Sequence, residues 1–272
     1  MKVSIITINW NNKIGLEQTI NSVLSQTFTD YEFIVIDGAS TDGSDDVIEA
    51  NKDRIDYWVT ESDSGIYNAM NKGIYAAHGE YCYFLNSGDV FASNDVLSDI
   101  FKHNVKANFV CGNIIWDENG KLRKDDSYKN RDWLFSLYDI YSGFLCHQAF
   151  LVKREMFDEY GYYDETLRIM SDWKHFLIAI GIHGEKVQYV DVDIAIYNTD
   201  GLSSTIGGKA ILAEKRKVAQ EELSDQVYKE VDRLYYLSRN GFVEDFVHSK
   251  KLIHFLFKVC LKVCTTLRLT KI

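Results

Sequence analysis

The chain has 272 residues, of which 40 are acidic and 30 are Lys or Arg, for a net charge of −10; 46% are hydrophobic and 14% aromatic. These values exclude a disordered chain, which lacks the apolar surface to fold, and argue against a nucleic-acid binder, whose surface must neutralise phosphates. The length suits one large domain, or a domain with an appendage, whose core needs no disulfide or structural metal.

In chain order, residues 3–8 are mostly apolar and β-branched, the pattern of a buried strand. Leu16, Ile20, Val23 and Leu24 follow at helical spacing. A second apolar run, 31–36, ends in Asp37-Gly38-Ala39-Ser40-Thr41-Asp42-Gly43, and a helix is expected over about 44–51. Residues 57–59 predict a third strand, 65–77 a helix with Ile66, Ala69, Met70 and Ile74 on one face, and 81–85 a fourth strand closing on Asn86-Ser87-Gly88-Asp89. Strands alternating with helices over roughly the first 105 residues imply a parallel sheet with right-handed crossovers. The pattern is then mixed: a strand over 108–116, a turn at Asp117–Gly120 with a short return strand, a strand over 149–152, a helix over 171–180 and a strand over 187–192. Residues 199–208 predict a mobile loop, and a polar helix over 209–238 leads to a basic tail.

In an open parallel sheet, ligands bind beyond the carboxyl ends of the strands. Four polar clusters fall there: Asn9-Trp10-Asn11-Asn12, Asp37 to Gly43, Glu61-Ser62-Asp63-Ser64-Gly65, and Asn86 to Asp89. Any one could be turn chemistry, but four on one rim point to a site. Carboxylates alone repel phosphate, so a phosphate ligand here calls for a hard divalent cation between them. Lys72 stands on the following helix as a positive contact for a diphosphate. No Gly-x-x-x-x-Gly-Lys-Ser/Thr loop is present, and no Gly-x-Gly-x-x-Gly follows the first strand.

The five cysteines have no zinc or redox spacing, and Met1-Lys2 leads straight into a strand, so a reduced, cytosolic protein is expected. The charge is uneven. Beyond Asp245 the chain has six Lys or Arg and no acid, giving +6; residues 1–245 carry 24 basic against 40 acidic residues, giving −16. In the tail, Leu252, Leu256, Val259, Val263 and Leu267 share one helical face, while Lys251, Lys258 and Lys262 cluster elsewhere. Such a helix over 250–268 suits an anionic membrane surface; the alternatives are that it packs on the body or pairs with a second copy in a homodimer.

The motifs together resemble the glycosyltransferases of family 2. Ser4 to Asn11, Ser22-Val23-Leu24-Ser25-Gln26 and Asp37–Gly43 match the opening of that family. Asp63-Ser64-Gly65-Ile66-Tyr67-Asn68-Ala69-Met70-Asn71-Lys72-Gly73, Gly79-Glu80-Tyr81 and Leu85 to Asp89 continue the match, which covers about residues 1–205. The nearest subgroup is that of bacterial capsule, exopolysaccharide and lipopolysaccharide assembly. The resemblance implies an α/β fold of the GT-A type, a mixed, mainly parallel sheet flanked by helices. It implies a transferase domain over 1–208 (a nucleotide half to 105, an acceptor half from 106) and a C-terminal helical extension over 209–272.

The resemblance also carries roles. Thr7, Asn9, Trp10 and Asn11 lie in the loop beneath the nucleotide base, with Trp10 either stacked on the base or simply core. Asp37 matches the first acid of the family's Asp-Asp-Gly-Ser stretch, and Gly38 replaces the second, which often reads uracil. Asp63 and Lys72 flank ribose and diphosphate. Asn86, Ser87, Gly88 and Asp89 stand where the family has its Asp-x-Asp metal motif. A divalent cation, Mn2+ or Mg2+, is thereby implied, held by Asp89 and by His147, which is otherwise a hydrogen-bonded pocket histidine. Asp172 matches the catalytic base, although its place at a helix start also suits an N-cap. Asp164 and Glu165 read as turn or acceptor-side structure, and 198–207 as a lid over the donor. The implied reaction is an inverting transfer of a hexose or N-acetylhexosamine from a UDP-linked donor to a glycan or lipid-linked acceptor. The implied place is the cytoplasm, on the inner face of the cell membrane. Rival readings are a sugar-nucleotide pyrophosphorylase and a non-catalytic or regulatory protein on a degenerate fold of this type.

Overall fold

The computed structural model of the chain describes residues 1–129, 135–143, 145–199 and 207–239. The basic tail and most of the expected lid lie outside the described residues. The first half alternates as expected: β1 (Val3–Asn9), α1 (Lys13–Leu24), β2 (Tyr31–Asp37), α2 (Ser44–Asn51), β3 (Tyr57–Thr60), α3 (Ile66–Ala76) and β4 (Tyr81–Phe84). β1 pairs in parallel with both β2 and β4, and β2 with β3. The chain therefore winds outward from β1 to β3, then crosses back to lay β4 on the other side of β1. This reversal opens a crevice beyond the carboxyl ends of β1 and β4, where Asn9–Asn12 and Asn86–Asp89 sit. α3 packs on β1 and β2. Gly73 permits the close approach, since a Cβ there would meet Ile6 Cγ2 at 2.3 Å.

The second half adds β5 (Val90–Phe91), α4 (Val96–Lys102), β6 (Phe109–Glu118), β7 (Lys121–Asp125), α5 (Leu137–Ser142), β8 (Phe150–Lys153), α6 (Glu155–Tyr160), α7 (Ser171–Phe176) and β9 (Val187–Asn198). The described strands form one nine-stranded sheet, in the order β3-β2-β1-β4-β8-β6-β9-β5 with β7 on β6. β8 joins antiparallel to β4 and β6, and β9 runs parallel to β6. The sheet is thus mixed, parallel over β1 to β4 and extended through antiparallel pairs.

Two elements differ from expectation. β9 continues six residues past Val192, because Asp191 and Asp193 interrupt the apolar pattern without ending the strand. Asn113 donates to both, Lys129 pairs with Asp191 and Lys124 with Asp193, across a register shift in β6. The extension brings Tyr197 and Asn198 to the crevice. The single polar helix expected over 209–238 is two helices, α8 (Gly208–Glu222) and α9 (Asp225–Arg239). The buried Leu223 is extended at the break, and the Ser224 Oγ accepts from Val227 N, the signature of an N-cap. α8 docks through Lys215, a buried lysine whose ammonium donates to Gly143 O and lies 4.9 Å from the Trp173 ring centre. Among the described residues no helix is long and apolar enough to cross a membrane.

His175, buried in α7, stacks on Phe157 at 4.8 Å. Its Nδ1 faces Gly161 O at 3.1 Å and so carries the proton, leaving a buried Nε2 with no partner. Burial pushes its pKa down to about 4, against the opposing effects of Gly161 O and Asp172. The unfolded imidazole binds a proton from about pH 6.5 downward, the folded one only near 4. Stability present above pH 6.5 is therefore lost as the pH falls toward 4. Urea unfolding should show the native chain losing about 2 kcal/mol through this group between pH 7.5 and pH 5. The His175→Phe variant should not show that part of the loss.

Candidate active site

The loops after β1 and β2 are locked together by one carboxylate. Asp37 is fully buried; its Oδ1 accepts from Asn9 Nδ2 at 2.7 Å and Ser40 Oγ at 2.6 Å, and its Oδ2 from Ser40 N at 3.0 Å. Asn11, at φ +49°, bonds Ser40 and Thr41 across the gap. Asp37 therefore shapes the rim instead of presenting an oxygen to a ligand. Thr7 is likewise fully buried and donates to Leu85 O at 2.7 Å, tying β1 to the end of β4. Both faces of a central strand are covered, so neither of its side-chain rows reaches the crevice. Asn9 is also buried, with an unpartnered Oδ1.

Trp10 is 72% exposed, which settles against a core role. It stands beside Gly38 and Asp63: a Cβ on Gly38 would lie 3.3 Å from Trp10 Cδ1 and 2.9 Å from Asp63 Oδ2. Lys72 does not point freely at a diphosphate. Its ammonium is spent on Asp63 Oδ1 at 2.6 Å, Glu61 Oε1 at 2.9 Å and Ser62 O at 3.3 Å. It holds Asp63 in place with Oδ2 turned toward Gly38 and the indole.

Beyond this rim is a pocket lined by Ile66, Tyr67, Met70, Trp116, Cys146, His147, Gln148, Arg168, Ile169, Asp172 and Tyr197. Trp116 and Tyr197, opposite each other on β6 and β9, form an aromatic wall with ring centres 5.0 Å apart. Asp172 is the sole carboxylate among these residues. Its Oδ1 accepts from Tyr67 OH at 3.0 Å and Trp173 N at 2.9 Å, and its Oδ2 lies 3.0 Å from His147 Nδ1. Burial, then the Asp172 charge, raises the Tyr67 pKa well above 10, so the phenol stays protonated and donates. The Nδ1 proton of His147 meets the carboxylate, and its Nε2 accepts from Asn86 Nδ2 at 3.3 Å. The N-cap role offered as an alternative for Asp172 does not appear: α7 starts one residue earlier, with Met170 as its cap residue.

The expected cation site at Asp89 and His147 does not assemble. Asp89 is buried, with Oδ1 accepting from Asn198 N at 2.9 Å and Oδ2 from Gln148 Nε2 at 3.1 Å. Burial raises its pKa to about 6 in spite of those bonds. Both His147 nitrogens have other partners, and no group of three or more His, Cys, Asp or Glu converges among the described residues. The Asn86–Asp89 turn is instead held from α1: Asn12 donates to Ser87 O, and the Thr19 hydroxyl bridges Gly88 N and Asp89 O.

A switch-point crevice with an exposed aromatic beside one carboxylate adjoins a pocket holding another, on an α/β fold of the GT-A type. The sequence profile described as Glycosyl transferase family 2 matches residues 4–161, more than half of the chain. The chain belongs to this family and is a glycosyltransferase, which removes the pyrophosphorylase and non-catalytic readings. It is 27% identical over 216 residues to a PGL/p-HBAD biosynthesis glycosyltransferase of Mycobacterium bovis, spanning 77% of this chain and 82% of that one. It is also 27% identical over 283 residues to the GalNAc(5)-diNAcBac-PP-undecaprenol beta-1,3-glucosyltransferase of Campylobacter jejuni, spanning 94% and 87%. In fold it is similar to S. aureus TarS 1-349 in complex with UDP-GlcNAc, with a TM-score of 0.68, 18% identity and coverage of 88% and 73%. It is likewise similar to the mannosyltransferase PcManGT of Pyrobaculum calidifontis in complex with GDP-Man and Mn2+, with a TM-score of 0.56, 16% identity and coverage of 79% and 61%.

Sequence reading missed the roles of Tyr67, Asn71, Gln148, Trp116 and Tyr197. One signal was available. Asn71 falls on the apolar stripe of α3, between Tyr67 and Ile74, and a polar group there requires built partners. It is buried; its Nδ2 donates to Tyr163 O at 2.8 Å and Glu165 Oε1 at 2.9 Å, and its Oδ1 accepts from Tyr163 N at 3.0 Å. Glu165 also accepts from Asn68 at 2.9 Å. These bonds dock α3 on the segment leading to Asp172. Asn71→Ala strands two buried backbone groups and should cost about 3 kcal/mol, read as a fall in the urea midpoint.

Proposed function

We propose that the chain is an inverting glycosyltransferase. It moves a hexose or N-acetylhexosamine from a nucleotide-diphosphate sugar, UDP-linked by preference, to a hydroxyl of a glycan or lipid-linked acceptor in surface polysaccharide synthesis. The observation that carries the mechanism is the pocket's one carboxylate, Asp172, oriented by Tyr67 and Trp173 N and paired with His147. Asp172 removes the proton of the acceptor hydroxyl as its oxygen bonds to the anomeric carbon. The bond to the diphosphate breaks on the opposite face, and the nucleoside diphosphate leaves. One base suffices for this single displacement. On the donor side, Trp10 stacks on the base and the Asp63 carboxylate, steadied by Lys72, takes the ribose hydroxyls. Asn11, Asn86 and Ser87 complete the rim.

The UDP-GlcNAc complex of a fold neighbour and the undecaprenol-linked substrate in a relative's name support the donor and acceptor classes. The Mn2+ of the mannosyltransferase neighbour supports a divalent cation, Mn2+ or Mg2+, as cofactor; the described residues supply no ligand set for one, and no step above is assigned to it. The division into a nucleotide half to residue 105, an acceptor half to 208 and a helical extension belongs to the same reading. So does attachment of the 250–268 tail to the inner face of the membrane.

Asp172→Asn should lower kcat for transfer by about 1000-fold while the Kd for UDP, by calorimetry, stays within about twofold. Retained transfer would remove Asp172 as the base. Gly38→Asp restores the acid of the family pattern but drives a side chain into Trp10 and Asp63. Its Kd for UDP should rise about tenfold, and unchanged binding would remove the indole and Asp63 from the nucleotide site.

A further inference from the structure

The segment just before Asp172 is held by a residue far away in sequence. Glu214 on α8 accepts three consecutive backbone N–H groups: Oε1 takes Arg168 N at 2.8 Å, and Oε2 takes Ile169 N at 2.8 Å and Met170 N at 3.0 Å. Arg168 and Ile169 line the pocket, and Met170 caps α7 two residues before Asp172. A carboxylate meeting several backbone donors makes charge-assisted bonds, stronger than neutral ones.

We infer that Glu214 is a positioning residue for Asp172, reaching it from α8 through the backbone of 168–170; this rests on Asp172 being the base. The clamp sets where α7 begins, and with it the direction in which the Asp172 carboxylate leaves the backbone. α8 is anchored near this segment: Lys215 reaches Gly143 O and the Trp173 ring, and Lys174 of α7 pairs with Glu222 at 3.2 Å. Apart from the Lys215 bond to Gly143 O, these α8 contacts are to residues beyond 161, where the family match ends. Side chains that touch no substrate still matter, since a displacement of about 1 Å at a reacting group can cost about 100-fold in rate.

The test compares Glu214→Ala, Glu214→Gln and Val218→Ala in the full chain. Val218→Ala opens a cavity in the same helix without touching residues 168–170, and so reports destabilisation alone. Glu214→Ala should lower kcat for transfer about 10- to 100-fold with the UDP Kd within about twofold of native. Glu214→Gln, which keeps one acceptor oxygen, should fall between. Val218→Ala should lower the melting temperature and leave kcat unchanged well below it. Amide exchange of peptides spanning 166–173 should accelerate about tenfold or more in Glu214→Ala and not in Val218→Ala. A Glu214→Ala kcat within twofold of native, a fall matched by Val218→Ala, or unchanged exchange over 166–173 overturns the inference. Absence of transfer by the native chain with every donor would remove the proposed reaction instead, while the exchange measurement still decides the clamp.

Discussion

A carboxylate withdrawn from water must be met by donors, or its charge is too costly to keep. Asp172 meets that requirement with groups from three places: Tyr67 on α3, His147 before β8, and the backbone N–H of Trp173 in α7. The parallel first half and the mixed second half of the sheet are thus joined chemically at Asp172. The register of α3, the 146–149 turn and the start of α7 must all be right together for the pocket to exist.

Other acids near the site also collect hydrogen bonds, two of them, Asp37 and Asp89, from buried positions. Asp37, Asp89, Glu165 and Glu214 each bind a loop to its neighbour by collecting hydrogen bonds, and each does so near the crevice. None of the four is ion-paired with a lysine or arginine among the described residues. They answer to backbone N–H, amide and hydroxyl donors instead. A net charge of −10 therefore does not describe how the acids are used: several of them hold loops and turns in place.

Much of this was legible in the residues. The alternating strands and helices to Phe84, the hairpin at 117–120 and the placement of four polar clusters on one rim follow from apolar periodicity and turn chemistry, which are local. The exposure of Trp10 and the convergence of Asp172 with His147 needed the fold. Thr7 and Asp37 were read as ligand contacts because their motifs lie beside the nucleotide loop; whether a residue faces the crevice or the interior depends on which strands cover it. β9 was cut short for a related reason, since Asp191 and Asp193 look like a strand end until Asn113, Lys124 and Lys129 are brought across from β6 and the loop after β7. Glu214 carries no sequence signal at all, being one of several acids on a polar helix.

Gly38, Trp10, Asp63 and Lys72 show how a departure from the family pattern can be a coupled change. An acid at position 38 would collide with both the indole and Asp63. With glycine there, the larger Trp10 side chain and the Asp63 carboxylate draw together over the backbone of residue 38. Lys72 then becomes necessary, because Asp63 approaches Glu61 and the rim of an acidic body, and one ammonium reaches both carboxylates, at 2.6 and 2.9 Å. The same lysine holds an acid in place. With glycine at 38, the rim presents an aromatic surface at 10 and a fixed carboxylate at 63, the two groups to which the proposed reading assigns base stacking and the ribose hydroxyls.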